Sequence, residues 1–159
     1  MDTIIRLLKQ NARLTFKELA AMTGIAEAEI ETKIKEYEQN GTIAGYTAVI
    51  NDDIADKDCV TAFIEVKVTP KADCGFDDIA RTIMMYDEVE SLTLMSGAFD
   101  LAVTISGSNY KEIALFVAQR LSTIDGVLST STHFLLKKYK DRGIFIEDEQ
   151  QDERRFVSP

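Results

Sequence analysis

Three glutamates at alternate positions, Glu27, Glu29 and Glu31, open a stretch whose apolar spacing predicts a helix. A shorter helix and a tight turn are predicted directly before it, in the segment TFKELAAMTG. In a helix-turn-helix, the second helix enters the major groove of DNA with its first residues nearest the bases. A glutamate can accept a hydrogen bond from cytosine N4, but its charge opposes the phosphates. The chemistry of this helix therefore conflicts with its predicted geometry.

Basic side chains near both predicted helices offer the opposite chemistry. Lysine and arginine hold phosphates, and hydroxyl groups add hydrogen bonds that fix the register on a duplex. With Ile30 and Ile34 turned inward, the second helix presents Ala28, Glu31, Thr32 and Lys35 outward, flanked by Glu27 and Glu29. The candidate DNA-contact residues are Arg13, Thr15, Lys17, Ala28, Glu29, Thr32, Lys33 and Lys35.

Composition and charge are those of an ordinary globular chain. Its 159 residues are 45% hydrophobic and 28% charged, with a formal net charge of −9. Residues 1–50 carry six basic and seven acidic side chains, whereas the rest of the chain carries twelve and twenty. An acidic balance argues mildly against tight non-specific binding of nucleic acid, although a basic patch can lie on an acidic body.

The cysteines, the N-terminal residues and the single histidine indicate the cellular compartment and whether a metal site is expected. Cys59 and Cys74 form no CxxC pair, and the N-terminal MDTIIRLLKQ is too short and too charged for a secretory leader, so we expect a reduced, cytoplasmic protein. No apolar run is long enough to span a membrane. The single histidine, His133, is too few for a histidine-based metal cluster, and no cofactor or metal is expected.

The first third of the chain predicts three short helices and a ribbon. Apolar spacing places a helix near residues 2–11, and Thr15 with Glu18 forms a capping box at the start of the next. That helix is expected to end at Thr23-Gly24, and the third at Asn40-Gly41. The segment TIAGYTAVI predicts a short β-ribbon that turns at Gly45. Together these elements predict a winged helix-turn-helix over residues 1–50.

The remainder predicts a second module after a polar, acidic linker at 51–58. From residue 59 the spacing alternates between strand and helix periods in the order β-α-β-β-α-β, which is the ferredoxin-like split motif over 59–141. The second helix of this module is expected over NYKEIALFVAQRLSTID, and the last strand over VLSTSTHFLLKKY. Such a sheet has one bare face, which a second copy would cover, so we expect a homodimer or a larger assembly. The fold class is therefore α+β.

Several motifs, in this order and at these separations, make the chain resemble the Lrp/AsnC (feast/famine) family of transcriptional regulators. The likeness runs from about residue 2 to 141. In the first half it is carried by D-x-x-I-x-x-L-L-x-x-N-A-R, by TFKELA and by the G-x-I-x-G-Y-T-A pattern at 41–48. In the second half, SGAFD at 96–100 is similar to the family's T-G-x-x-D turn, and GVLSTST at 126–132 to its G-V-x-x-T-x-T strand.

The resemblance implies a regulator whose second domain binds a small effector, typically an amino acid, between neighbouring subunits. It also implies dimers that assemble further into tetramers or octamers, and double-stranded DNA as a partner. Exposed backbone N–H groups of a glycine turn can receive a carboxylate, and an aspartate can pair with an amino group. The effector-binding residues that it implies are Ser96, Gly97, Ala98, Asp100, Thr130 and Thr132. A structural role for Gly97 and Asp100 in the turn, and for the threonines in the strand, stays open.

The chain departs from the family where DNA is read. Family members commonly carry Ser-Pro and then Ser, Thr and Arg where this chain has Ala26-Glu27, Ala28, Glu29 and Thr32. Ala26 cannot cap the third helix, so the helix lacks about 1 kcal/mol of stabilisation that a capping side chain would provide. Three alternatives follow: a regulator that binds DNA weakly or with help from dimerisation, an effector sensor whose DNA binding has faded, or an enzyme. The last rests on likeness of the two-domain fold to decarboxylases of haem biosynthesis, for which His133 is a poor candidate on a predicted strand.

The C-terminal stretch GIFIEDEQQDERRFVSP lies outside the resemblance. We expect an acidic tail over 142–159. Ile144, Phe145 and Ile146 could instead add an edge strand or dock on a neighbouring subunit.

Overall fold

Three helices at the start of the chain begin and end where local hydrogen bonds allow. They are α1 (Thr3–Gln10), α2 (Phe16–Thr23) and α3 (Glu27–Gln39). At α2 the predicted capping box is present, because Glu18 N–H donates to Thr15 Oγ1 at 3.2 Å while Thr15 N–H donates to Glu18 Oε2 at 2.8 Å. Gly24, with φ 73°, ends α2 in the left-handed conformation that glycine adopts at little cost.

The molecule is described by a computed structural model covering residues 2–56, 58–70 and 75–146. The chain divides into two compact units, one made of residues 1–50 and 140–159 and the other of residues 51–139. The predicted linker at 51–58 contains one helical turn, α4 (Asp52–Ala55). Within the second unit, Asp52 of this turn accepts from Lys138 Nζ at 2.9 Å.

The three-helix core forms around the residues that periodicity had placed inward. Ile4, Leu19, Ile30 and Ile34 are buried, with partly buried apolar neighbours from all three helices around them. Burial of each such side chain contributes roughly 1.5–3 kcal/mol. The prediction of a helix-turn-helix in this unit is confirmed.

The predicted β-ribbon after α3 is wrong. Residues 42–50 are all described, and none of them lies in a strand. The segment is held instead by Ile43 N–H on the Tyr37 carbonyl at 2.9 Å and by Tyr46 Oη on Glu38 Oε1 at 2.9 Å. An isolated two-stranded hairpin is marginal in water, so alternating residues alone do not establish one.

An antiparallel sheet backed by two helices forms the second unit. Its strands are β1 (Val60–Val68), β2 (Val89–Leu94), β3 (Leu101–Gly107) and β4 (Val127–Phe134), in the spatial order β2-β3-β1-β4. The helices are α5 (Asp77–Met84) and α6 (Tyr110–Gln119). This order confirms the predicted ferredoxin-like arrangement.

The helices cover one face of this sheet. Alternate residues of β1 and β3 pack with α5 and α6 in a core that contains Ile64, Val103, Ile79 and Phe116. Gly126, just before β4, has φ 94°, and a Cβ there would lie 2.8 Å from Ile79 Cδ1. The backbone conformation therefore favours glycine, and a side chain there would also have to displace the end of Ile79.

The opposite face of the sheet has no helix of its own unit over it among the described residues. Phe63, Glu65 and His133 lie there, with Phe99 edge-on to Phe63 at 6.0 Å between ring centroids. Serines and threonines surround them. The bare face is therefore polar at its edges and aromatic near its centre.

The last helix and last strand are shorter than predicted. The helix expected to run to Asp125 ends at Gln119, and Leu121–Thr123 form a 3-10 turn. Thr123 Oγ1 donates to the Gln119 and Arg120 carbonyls at 3.0 and 2.9 Å, which satisfies the carbonyls that a continuing α-helix would use. The strand ends at Phe134, so residues 135–139 of its predicted span are not strand.

A small hairpin follows and belongs to the same unit as α1–α3. Its strands are β5 (Lys140–Asp141) and β6 (Ile144–Phe145), which pair with each other rather than extending the four-stranded sheet. The hairpin crosses the predicted boundary between residues 141 and 142, and residues 147–159 of the expected tail lie outside the described residues. No helix in the described ranges is long and apolar enough to cross a membrane.

Candidate functional site

The start of α3 is stabilised by charge rather than by a cap. Ala26 at the N-cap makes no side-chain hydrogen bond, as expected. Glu27 and Glu29 lie in the first turn, where carboxylates interact favourably with the positive end of the helix dipole. The glutamates that oppose phosphates are thus part of what stabilises the helix.

Two of the candidate phosphate-binding lysines are paired along α3 itself. Lys33 Nζ lies 3.4 Å from Glu29 Oε1, and Lys35 Nζ lies 2.7 Å from Glu31 Oε1. The hydrogen bond to Glu31 raises the pKa of Lys35. Both pairs are one helical turn apart, the spacing at which opposite charges meet on a helix. The exposed face of α3 therefore carries lysines whose charges are compensated locally.

The hydroxyl of Thr32 is also engaged within the helix. Thr32 Oγ1 donates to the Ala28 carbonyl at 2.9 Å. With its hydrogen used in this way, the hydroxyl offers only its lone pairs to a base edge. Ala28 itself is exposed and presents a methyl group.

Near the start of α2, one candidate DNA-contact residue has a structural role and two others are free to contact phosphates. The Thr15 hydroxyl donates to Glu18 Oε2 at 2.8 Å, so it serves the capping box. Donation from the Thr15 N–H, and then from its hydroxyl, lowers the pKa of Glu18. Arg13 and Lys17 are exposed and form no ion pair with the described part of the chain. These two side chains are the available phosphate ligands of this helix.

In the second unit, the turn between β2 and β3 contains the residues singled out for the effector. Asp100 is built into the fold: its Oδ2 accepts from Val68 N–H at 2.9 Å, and its own N–H donates to the Val66 carbonyl at 3.0 Å. Both bonds lie on the β3 side of β1, just before β3 begins at Leu101. The structural alternative for Asp100 is therefore correct for one carboxylate oxygen.

Gly97 lies in open space, and no described residue is close enough to require a glycine there. A Cβ at residue 97 would have no heavy atom within 4 Å, and its φ lies outside the left-handed region. Ser96, Gly97 and Ala98 are exposed, and within the described residues their N–H groups form no hydrogen bond. The turn thus offers free backbone donors with no side chain at its centre.

An apolar groove runs beside this turn, between α5 and the edge strand β2. Leu94 and Leu101, which bracket the turn, line it together with Phe76 and Met84. Leu94 is 56% exposed and Met84 61% exposed, which is unusual for large apolar side chains in adjoining positions. The groove can accept an apolar group attached to whatever the turn binds.

Thr130 and Thr132 do not join the turn within one subunit. They pair with Val66 and Ile64, so their side chains lie on the helix-covered face of the sheet. Thr130 Oγ1 lies 3.2 Å from Ser122 Oγ. Strand β1 separates β4 from β3 and its turn. These hydroxyls could therefore complete a site at residues 96–100 only from another copy of the chain.

His133 lies on the bare face with two polar neighbours. Its Nε2 is 3.4 Å from Glu65 Oε1 and 3.3 Å from Ser131 Oγ, and its ring lies 6.2 Å from that of Phe63. The side chain is on an open sheet rather than in a cleft. Across the described ranges, no cluster of three or more His, Cys, Asp or Glu side chains could hold a metal ion.

Several features of these sites were not predicted from the sequence. The pairing of Lys33 and Lys35 with glutamates four residues earlier is readable from spacing alone. The exposure of Met84 and Leu94 is not, because periodicity gives a face but not what covers it. The hairpin at Lys140–Phe145 has only a weak sequence signal, because Gly143 suits a turn but Arg142 is not a residue that the first turn position favours.

Comparison with known families gives two matches, one of which extends through the hairpin at 140–145. Residues 61–145 match a family model described as the Lrp/AsnC ligand binding domain, and residues 3–44 match one described as a winged helix-turn-helix DNA-binding domain. The first match covers more than half of the chain.

Comparison with known proteins gives the same result. An uncharacterized HTH-type transcriptional regulator of Bacillus subtilis, YugG, is 45% identical over 157 residues, covering 98% of this chain and 95% of that protein. The HTH-type regulator FL11 of Pyrococcus furiosus is 29% identical, covering 87% and 88%. A Neisseria meningitidis regulator solved with L-methionine superposes with a TM-score of 0.70 at 24% identity, covering 89% and 93%. A feast or famine regulatory protein of Mycobacterium tuberculosis, also solved with L-methionine, gives 0.73 at 22%, covering 91% and 95%.

Proposed function

Because the chain belongs to the Lrp/AsnC family of transcriptional regulators, we propose that it couples amino-acid binding at the 95–100 turn to DNA binding by α2 and α3. The helix-turn-helix would contact DNA, and the sheet domain would receive the effector. A regulator that acts on DNA works where the DNA is, so we place it in the cytoplasm.

The observation that carries the effector site is the unexplained glycine at residue 97. Neither its backbone angle nor its surroundings in the subunit exclude a larger residue. A ligand or a neighbouring copy that approached the backbone closely would require a residue without a side chain at this position. The free N–H groups of Ser96, Gly97 and Ala98 suit a carboxylate, and the second oxygen of Asp100 suits an amino group.

The groove beside the turn supports an amino acid with an apolar side chain. The exposed side chains of Leu94, two residues before the turn, and of Met84 present carbon surface in this groove, which Asp77 and Glu90 also line. Large apolar side chains gain roughly 1.5–3 kcal/mol on burial, so a methionine- or leucine-like side chain would fit better than a charged one.

Self-association would complete this site. We propose that a second copy covers the bare face around Phe63 to give a homodimer, and that further copies bring Thr130 and Thr132 towards the 95–100 turn in a tetramer or octamer. Burial of exposed aromatic surface is the physical reason for pairing. The arrangement explains why the two predicted halves of the site lie on opposite sides of β1.

Calorimetric titration with each of the twenty amino acids tests this placement. Gly97→Val should keep the melting temperature of the parent and lose amino-acid binding. Asp100→Asn keeps an acceptor for Val68 N–H but removes the charge, so it should fold and bind weakly, whereas Asp100→Ala should also lose stability. Unchanged affinity in both Gly97→Val and Asp100→Asn would place the effector elsewhere.

We propose that one helix-turn-helix binds DNA weakly and that dimerisation strengthens the binding, because the two copies then contact the same duplex. Arg13 and Lys17 would hold phosphates, with Thr15 positioning α2. Ala28, Glu29, Thr32, Lys33 and Lys35 would face the groove. The ion pairs of Lys33 and Lys35 also favour a second candidate, an effector sensor with little DNA affinity. No binding to its own upstream DNA at low ionic strength would leave only that second candidate.

We do not propose an enzyme. The relatives are named as transcriptional regulators, and His133 lies on an open sheet face rather than beside a substrate-sized cleft.

A further inference from the structure

The hairpin Lys140–Phe145 has a tip that its own turn chemistry does not explain. Arg142 has φ 46° and Gly143 has φ 89°, and positive φ at both central positions is the pattern of a type I′ turn. The first of these positions favours asparagine, aspartate or glycine, because other side chains are strained there. Among the described residues, Arg142 is the one non-glycine with positive φ.

An arginine held in a strained position points to a use for its side chain. Arg142 is exposed and makes no ion pair with the described part of the chain. Lys140 sits beside it on β5, with Nζ 4.5 Å from the centroid of the Phe145 ring. Phe145 is 75% exposed, so it supports the lysine from below while leaving the ammonium group in water. The tip therefore displays two cations on a short hairpin, with Asp141 between them in the sequence.

Duplex DNA is the partner that these observations favour. The hairpin belongs to the compact unit that contains the helix-turn-helix. Within that unit, Lys33 and Lys35 are already paired with glutamates, so the reading helix supplies few uncompensated charges. Arginine and lysine are the residues that contact phosphate oxygens irrespective of base sequence.

We propose that Lys140 and Arg142 form a second DNA-contact element, which holds backbone phosphates of the duplex that the helix-turn-helix reads. The assignment rests on the proposed DNA binding. It would let a chain with an acidic reading helix keep its affinity through sequence-independent contacts.

Substitutions at the tip separate this role from a structural one. Arg142→Asn places a favoured residue in the turn and removes the charge, so the melting temperature should rise while DNA affinity falls. Arg142→Lys keeps the charge and should retain most of the affinity. If Arg142 had only a structural role, Arg142→Asn would bind DNA as well as the parent does, or better than Arg142→Lys.

The measurement is a salt titration of the full chain, with residues 147–153 and their acidic side chains present, on a labelled 40-bp duplex followed by fluorescence anisotropy. The logarithm of the DNA-binding constant falls with the logarithm of the salt concentration, and each lost phosphate contact makes this slope shallower by about 0.9. Lys140→Gln/Arg142→Gln should therefore lower the slope by about 1.8 per hairpin and weaken binding roughly 25-fold near 0.15 M salt. The matched control is Arg81→Gln/Lys111→Gln, which removes the same charge from exposed positions of the other unit and should leave the slope unchanged.

Two results would overturn the proposal while leaving DNA binding intact. One is a slope equal to that of the parent in the hairpin variant. The other is a change of sedimenting mass in that variant, which would make the exposed Ile144 and Phe145 a contact between copies. A parent that fails to bind the duplex even at low salt would remove both this proposal and the DNA-binding function on which it rests.

Discussion

Removing the two glutamates that pair with lysines on α3 should strengthen DNA binding. In Glu29→Gln/Glu31→Gln, Lys33 and Lys35 lose the partners that lie 3.4 and 2.7 Å away. Glutamine has nearly the helix propensity of glutamate, so α3 should still form. Exposed ion pairs contribute little to stability, but Glu29→Gln also removes a carboxylate from the positive end of α3, so the melting temperature should fall slightly.

The magnitude follows from the number of lysines released. One phosphate contact changes the observed binding constant as salt concentration to the power of about −0.9, which is about fivefold between 1 M and 0.15 M salt. Two lysines are released in each helix-turn-helix. The DNA-binding constant should therefore rise about 25-fold at 0.15 M salt, and its logarithmic dependence on salt should become steeper by about 1.8.

The assay is anisotropy of a labelled duplex at four or more salt concentrations. Asp87→Asn/Glu90→Gln is the matched control, since both side chains are exposed in the other unit and the change in charge is the same. A rise in affinity equal in both double variants would show a general charge effect. A fall in affinity for the α3 variant would mean that the glutamates contact bases, and the reasoning from local charge compensation would be wrong.

Three further predictions concern the local structures that hold the sites. Thr15→Ala should lower the free energy of unfolding by about 1 kcal/mol in denaturant titrations, whereas Thr15→Ser should retain it. Since the Thr15 donors lower the pKa of Glu18 below its usual 4.5, the stabilisation by the capping box is present above that pH and is lost as pH falls through the folded-state value. The stability gap between parent and Thr15→Ala should therefore shrink on acidification, and a constant gap would contradict it. Gly126→Ala should cost roughly 2–4 kcal/mol, because strain adds to a contact with Ile79, while Gly143→Ala, with the same strain but open space, should cost about 1 kcal/mol; equal melting temperatures would refute the packing argument.

The helices and strands were largely predictable because their signals are local. The capping box at Thr15 and Glu18 and the inward spacing of Ile30 and Ile34 each determine a structure within a few residues. The alternation of apolar residues in β1 predicted which face of the sheet is buried. The order of strand-like and helix-like segments along the chain predicted the topology.

The errors arose where a pattern depended on a partner. Alternation in residues 42–50 predicted a ribbon, but no second strand pairs with it in this subunit. The helix expected to continue past Gln119 gives way to a 3-10 turn at Leu121–Thr123, although the apolar spacing continues to Ile124. In both segments the pattern of apolar residues was present without the element that it predicted.

The sites were predictable as residues but not as arrangements. Resemblance identified Asp100 and Thr130, yet only the register shows that β1 separates them. The bond from the Val68 N–H to Asp100 and the open space around Gly97 likewise appear only in the structure. These are three-dimensional facts with no counterpart in the spacing of one sequence.

The most direct test of the regulator is the affinity of the full chain for its upstream DNA at low salt, measured with and without each amino acid at saturating concentration. An effector-responsive regulator predicts that at least one apolar amino acid shifts the dissociation constant in the parent and none does so in Gly97→Val. Identical affinities in every condition for the parent, or no DNA binding at all, would contradict the coupling of the two units.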